Sequence, residues 1–96
     1  MIIGKFTKLD NGYEGAIATV MLNMAVTFEA QVKKTEKSPD YRVFSNGLEI
    51  GAGWSKISKN KTPYIDILLD DPTFSQAINC RLFDETEGSA ILHWNR

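Results

Sequence analysis

Apolar residues recur at every second position along most of this chain, and that alternation limits what it can fold into more than any other feature. A period of two places alternate side chains on opposite faces of an extended strand, whereas a helix would repeat its apolar positions every three to four residues. In the clearest run, Val26, Phe28, Ala30 and Val32 share one side and Thr27, Glu29, Gln31 and Lys33 the other, the pattern of a strand with one wet face. Ile65, Ile67 and Leu69 alternate with Tyr64 and Asp66, and Ile78, Cys80 and Leu82 with Asn79, Arg81 and Phe83. Turn residues separate the runs: Asp10-Asn11-Gly12, Asn46-Gly47, Asn60-Lys61-Thr62-Pro63, Asp70-Asp71-Pro72 and Glu87-Gly88. Links this short favour antiparallel neighbours.

The expected strands are 2–9, 13–21, 25–34, 41–45, 48–57, 64–70, 76–83 and 89–94, and so many short strands imply a barrel or a two-layer sandwich. Ala16 to Ala25 is rich in Ala, Met and Leu, which suit a helix, but Ile17, Thr19 and Val20 turn the reading towards strand. The charged connector Lys33 to Asp40, with Pro39 unable to donate to a ladder, is expected to be the most mobile segment. At 96 residues the chain suffices for one domain, 1–96, and its 43% apolar and 24% charged residues are the balance of a folded protein rather than a disordered one. The expectation is an all-β, antiparallel single domain of about seven to eight strands.

Asn46-Gly47 is the dipeptide of a type I′ hairpin turn. With that turn, Ser45 opposes Leu48, Phe44 opposes Glu49, Val43 opposes Ile50, Arg42 opposes Gly51 and Tyr41 opposes Ala52. Tyr41, Val43, Leu48, Ile50, Ala52 and Trp54 then form the core side, and Phe44 and Arg42 stand beside Glu49, Gly51, Gly53 and Ser55 on the other. Two glycines in one strand mark either close approach by a partner or a bulge and barrel corner, and both readings stay open. Ile57, apolar where Lys56 would continue the phase, suggests a bulge near Ser55. Trp54 and Trp94 are expected in the core, given the area an indole buries.

The wording from Pro39 onward is specific: Pro39-Asp40-Tyr41-Arg42-Val43-Phe44, Gly47-Leu48-Glu49-Ile50-Gly51-Ala52-Gly53-Trp54, Leu69-Asp70-Asp71-Pro72-Thr73-Phe74 and Trp94-Asn95-Arg96. With Ile3 to Lys8, Asp10 to Tyr13 and Gly15, this closely resembles the bacterial family known as domain of unknown function 736, along nearly the whole chain. The resemblance implies a small protein often carried on plasmids, integrative elements and phage-related islands, with no assigned activity. Gly53 and Ser55 depart from the family's pattern, which puts any family role of that strand's outer surface in doubt.

Catalysis by a nucleophile needs a base and a group to orient it. Cys80 and His93, the only cysteine and the only histidine, could form such a pair only if the fold joined them, and Cys80 reads instead as a small core residue. Asp70 and Asp71 before Pro72 read as a turn capped by a carboxylate, and Asp84 to Gly88 as a hairpin loop, not as ligands of a hard cation. Gly51-Ala52-Gly53 lacks the lysine and helix of a phosphate loop. The expectation is a non-enzymatic protein with no cofactor and no metal.

Eleven basic and twelve acidic side chains, a net charge of −1, do not suit a dedicated duplex-DNA binder. A single cysteine fits a reducing compartment, and with neither an export signal nor a membrane-spanning segment in the sequence the expected location is the cytoplasm. The favoured function is docking on a protein partner, a host-defence or conjugation component on the family resemblance, through Arg42 as cationic anchor, Phe44 as apolar anchor, and Glu49 and Lys56 as charges that set register. The alternative is a β-barrel that binds single-stranded nucleic acid, with Lys56, Lys59 and Lys61 near Phe44 and Arg42. Pairing of two copies through an edge strand stays open as well.

Overall fold

A computed structural model describes residues 1–20 and 22–94. The strands are β1 (Ile2–Leu9), β2 (Gly12–Ala18), β3 (Asn23–Ala30), β4 (Tyr41–Ser45), β5 (Leu48–Ile57), β6 (Pro63–Leu69), β7 (Ile78–Asp84) and β8 (Ser89–Trp94). Each pairs antiparallel with the next, and β8 closes onto β1, giving a barrel in strict chain order. Of the two architectures open from the sequence, the barrel is realised. Closure gives every strand two neighbours, so pairing of two copies through an edge would require a seam to open. No helix among the described residues is long and apolar enough to cross a membrane.

The inner surface is the core. Phe6, Tyr13, Ile17, Phe28, Ile67, Leu82 and Leu92 are among the buried residues, and Phe6 stacks on Phe28 with ring centroids 4.8 Å apart. In the stretch Ala16 to Ala25, β2 ends at Ala18 and β3 begins at Asn23, with a turn closed by Thr19 N–H donating to the Leu22 carbonyl at 2.7 Å. The end of the expected strand at Met21 lies outside the described residues. Strand β3 stops at Ala30, so Ala30 and Val32 lie outside the core and Val32 is almost fully exposed.

The C-terminal end of the Lys33 to Asp40 connector is anchored to the barrel. Asp40 N–H donates to the Gly53 carbonyl, Asp40 accepts from Ser55 N–H, and Gln31 N–H donates to the Asp40 carbonyl, each at 2.8 Å. Trp54 donates its indole N–H to the Lys37 carbonyl at 3.1 Å. Trp54 therefore sits on the outside of the barrel, half-buried beneath the connector, and not in the core. Trp94 packs against the core and lines one mouth of the barrel.

Candidate functional site

The hairpin forms with Asn46 and Gly47 both at positive φ, 54° and 78°, as a type I′ turn requires. Ser45 opposes Leu48 and Phe44 opposes Glu49, as expected, but the next pair is Val43 with Gly51. Strand β5 thus spends one extra residue, Ile50, in a bulge, and from there Arg42 opposes Ala52 and Tyr41 opposes Gly53. The expected register fails past Glu49, and the bulge lies here and not near Ser55, where the β5–β6 register runs unbroken.

The bulge swaps the faces. Gly51 and Gly53 turn to the inner side, opposite Val43 and Tyr41, and there is no strip of bare backbone beside Arg42. A β-carbon on Gly51 would overlap the Leu68 carbonyl oxygen, and one on Gly53 would come within 2.9 Å of the Ile65 side chain. These glycines let β5 and β6 approach at a barrel corner, the second of the two readings open from the sequence. Leu48, expected in the core, is 68% exposed beside the turn, although Ser45 opposite it is buried.

Arg42, Phe44 and Glu49 are brought together on the outer face. The Arg42 guanidinium lies 5.1 Å from the Phe44 ring centroid, and its Nε and Nη2 donate to the two carboxylate oxygens of Glu49, a bidentate pair. The hydrogen bonds hold the Glu49 carboxyl below its ordinary range and raise the Arg42 value. Across the ladder stand Thr27 opposite Phe44, and Glu29 and Ala52 on either side of Arg42. Lys56 is not part of this group. It lies four residues beyond Ala52 on β5, about 13 Å along the strand, and pairs with Asp66 at 3.0 Å.

A second outer surface had not been singled out from the sequence. Tyr64 on β6, Phe83 on β7 and His93 on β8 form a lane across three neighbouring strands, with ring centroids 5.8 Å and 5.4 Å apart. Arg81 lies 5.0 Å from the Tyr64 ring centroid. The available signal was aromatic residues at the wet positions of two alternating runs, Tyr64 and Phe83, where polar residues are the norm.

Each barrel end opens into a cavity. One, of about 300 Å³, is almost wholly apolar, with Met1, Ile3, Ile17, Leu22, Leu69 and Trp94 among its walls. The other, of about 400 Å³, is more polar, with Lys8, Tyr13, Tyr41, Lys56, Tyr64 and Asp84 among its walls. There the Tyr13 hydroxyl donates to Asp84 at 2.7 Å, and burial and then that hydrogen bond push the Tyr13 phenol far up.

Cys80 and His93 are not joined. Cys80 opposes Trp94 and faces inward at 2% exposure, whereas His93 opposes Arg81 on the outer face. Asp71 accepts from the N–H and hydroxyl of Thr73, the expected capped turn, and these bonds lower its pKa. Asp84 to Gly88 forms a hairpin loop with a single 3₁₀ turn, Thr86–Gly88. No cluster of three or more metal-binding side chains occurs among the described residues.

Burial, with a smaller contribution from Asp66, pushes the Cys80 thiol from its ordinary 9.0 up to about 12. The unfolded chain then loses this proton first, so the thiol's contribution to stability is complete below pH 9 and is lost as pH rises from 9.0 towards about 12. The buried phenol of Tyr13 and the partly buried phenol of Tyr41, also raised, act in the same direction from their ordinary 10.0 upward. Urea midpoints taken between about pH 8 and pH 11 are expected to fall with pH, and Cys80→Ala to flatten the earlier part of that fall. An unchanged slope in the variant would assign the alkaline sensitivity to the tyrosines alone.

Neither a curated protein nor a solved structure matches the chain. A family profile described as Protein of unknown function (DUF736) matches residues 2–96, which includes every strand of the barrel. That match covers both hairpin and lane, and it agrees with the resemblance carried by the Pro39 to Phe44, Gly47 to Trp54 and Leu69 to Phe74 stretches: this chain belongs to the DUF736 family.

Proposed function

We propose that this barrel is a non-enzymatic binding domain that docks on a protein partner through the outer face of its β4–β5 hairpin. The observation that carries this reading is the Arg42 group. A guanidinium lies over an aromatic ring, 5.1 Å from its centroid, and is held by a bidentate carboxylate, with an exposed Leu48 at the adjoining turn. Arginine and aromatic residues dominate the energetics of protein interfaces, and a side chain already fixed in one geometry loses less entropy on docking.

The charge at this surface separates a protein partner from a nucleic acid. Glu49 occupies two Arg42 donors and Glu29 stands across the ladder, so two carboxylates offset one guanidinium. A phosphate backbone would meet a surface of net negative charge, whereas a protein can complement it with polar and apolar groups of either sign. Lys56, 13 Å or so away by strand geometry, would reach only a partner large enough to span β5. The mobile-element setting implied by the sequence resemblance points to host-defence or conjugation machinery of the cytoplasm as the source of such a partner.

The test is affinity capture from the native cell with the wild-type chain and with an Arg42→Glu, Phe44→Ala double variant, each after nuclease treatment. A defined protein is expected with the wild type, and its recovery is expected to fall at least tenfold with the variant, since losses of 2 kcal/mol or more are usual at such anchors. Circular dichroism should be nearly unchanged and thermal unfolding lowered only by several degrees, because both side chains lie outside the core although Arg42→Glu sets a carboxylate beside Glu29 and Glu49. Equal recovery from a folded variant would remove this surface from consideration.

A further inference from the structure

We infer that the Tyr64–Phe83–His93 lane is a separate site for single-stranded nucleic acid, with the bases stacked on the rings and Arg81 as a phosphate anchor. It stands on different residues from the hairpin surface and does not depend on that reading.

Three observations carry it. The rings come from three consecutive strands with centroids 5.8 Å and 5.4 Å apart; Tyr64 and Phe83 are tilted by 34° and His93 meets Phe83 edge to face at 87°, so the cluster suits one or two bases splayed across the sheet rather than a base on every ring. All three residues are half-buried and alternate with the buried Ile65, Leu82 and Leu92, which puts them on the outer face of the barrel. The third is the contrast between two arginines that both lie over aromatic rings. The Arg42 fork is closed by Glu49, whereas Arg81 has no carboxylate within ion-pair distance among the described residues. Its nearest cross-strand acid, Asp66, is turned instead to Lys56 at 3.0 Å. A fork held over a ring by a cation–π contact, with its donors uncommitted, is suited to phosphate oxygens.

The row opposite Arg81 extends the surface, since His93 lies between Arg81 and Ile2 on the outer face. At the other end Tyr64 lines the more polar mouth, where Lys8 and Lys56 add cations beside Asp84 and Asp66. Those two pairs are neutral overall, so Arg81 supplies the unmatched charge. Stacking rather than net charge must therefore provide most of the affinity, and the salt dependence should be shallow.

The experiment is fluorescence anisotropy with a labelled oligothymidine of about eight nucleotides, within the usual site size of a β-sheet binder. Wild-type protein is expected to bind, with log K falling against log salt at a slope of about −0.7 to −1.4, as for one or two neutralised phosphates. Tyr64→Leu and Phe83→Leu keep the apolar area and remove the aromatic faces, and each is expected to weaken binding about tenfold. Arg81→Gln is expected to reduce the salt slope by about 0.7. No binding by the wild type, or equal binding by the folded leucine variants, would overturn the proposal. So would capture of a nuclease-resistant protein partner that is lost in the leucine variants while oligonucleotide binding persists.

Discussion

Phe28→Ala is expected to lower the stability of the barrel by about 4 kcal/mol, which would leave only about 1 kcal/mol, and roughly one molecule in six unfolded, for a barrel at the low end of the usual 5–15 kcal/mol. Phe28 is 1% exposed and lies at the centre of an aromatic group inside the barrel, stacked on Phe6 at 4.8 Å and in edge contact with Tyr13 at 6.2 Å. Removing the ring opens a cavity that flanking strands cannot fill, because each is held by ladders on both sides. It also removes both ring contacts. The contrasting variant is Phe44→Ala, where the ring stands on the outer face and the loss should stay below about 1 kcal/mol. Urea unfolding of the two variants checks this, and similar losses would contradict the assignment of inner and outer faces.

Gly51→Ala is expected to cost about 3 kcal/mol, an unusual loss for a single added methyl group. The new carbon would overlap the Leu68 carbonyl oxygen, which is backbone and cannot rotate away. The β5–β6 seam would have to part beside the bulge, where Asp70 N–H donates to the Ile50 carbonyl at 2.7 Å. Gly47→Ala is the control. It has open space around it and only its positive φ, 78°, to penalise, so it should cost about 1 kcal/mol. Urea midpoints again decide: a Gly51→Ala loss no larger than that of Gly47→Ala would mean that the corner does not depend on strand approach. A rise in hydrogen exchange confined to β5 and β6 would locate the parted seam.

The candidate surfaces were legible to different depths. Phe44 and Glu49 could be paired from the hairpin dipeptide, because the turn sets the register up to the bulge, and Arg42 joins them only by alternating with Phe44 along β4, its own partner being Ala52 and not the expected Gly51. Lys56 was misplaced since position along a strand, not proximity in sequence, sets its neighbours, and Asp66 on β6 claims it. The Tyr64–Phe83–His93 lane could not be assembled at all. It needs the β6–β7 and β7–β8 registers together, and each ring taken alone looks like an isolated aromatic residue on a wet face.

What the sequence determined by itself was local. Alternation and turn residues specify eight short strands and their approximate ends, because backbone twist, φ preferences and burial of alternate side chains act over a few residues. The tertiary structure alone decided closure and phase. Pairing of β1 with β8 joins residues some ninety positions apart, so no local pattern can distinguish a barrel from a sandwich. The bulge at Ile50 is likewise invisible locally, since an isoleucine suits either phase; the curvature of the closed wall selects it, turning Gly53 in and Trp54 out.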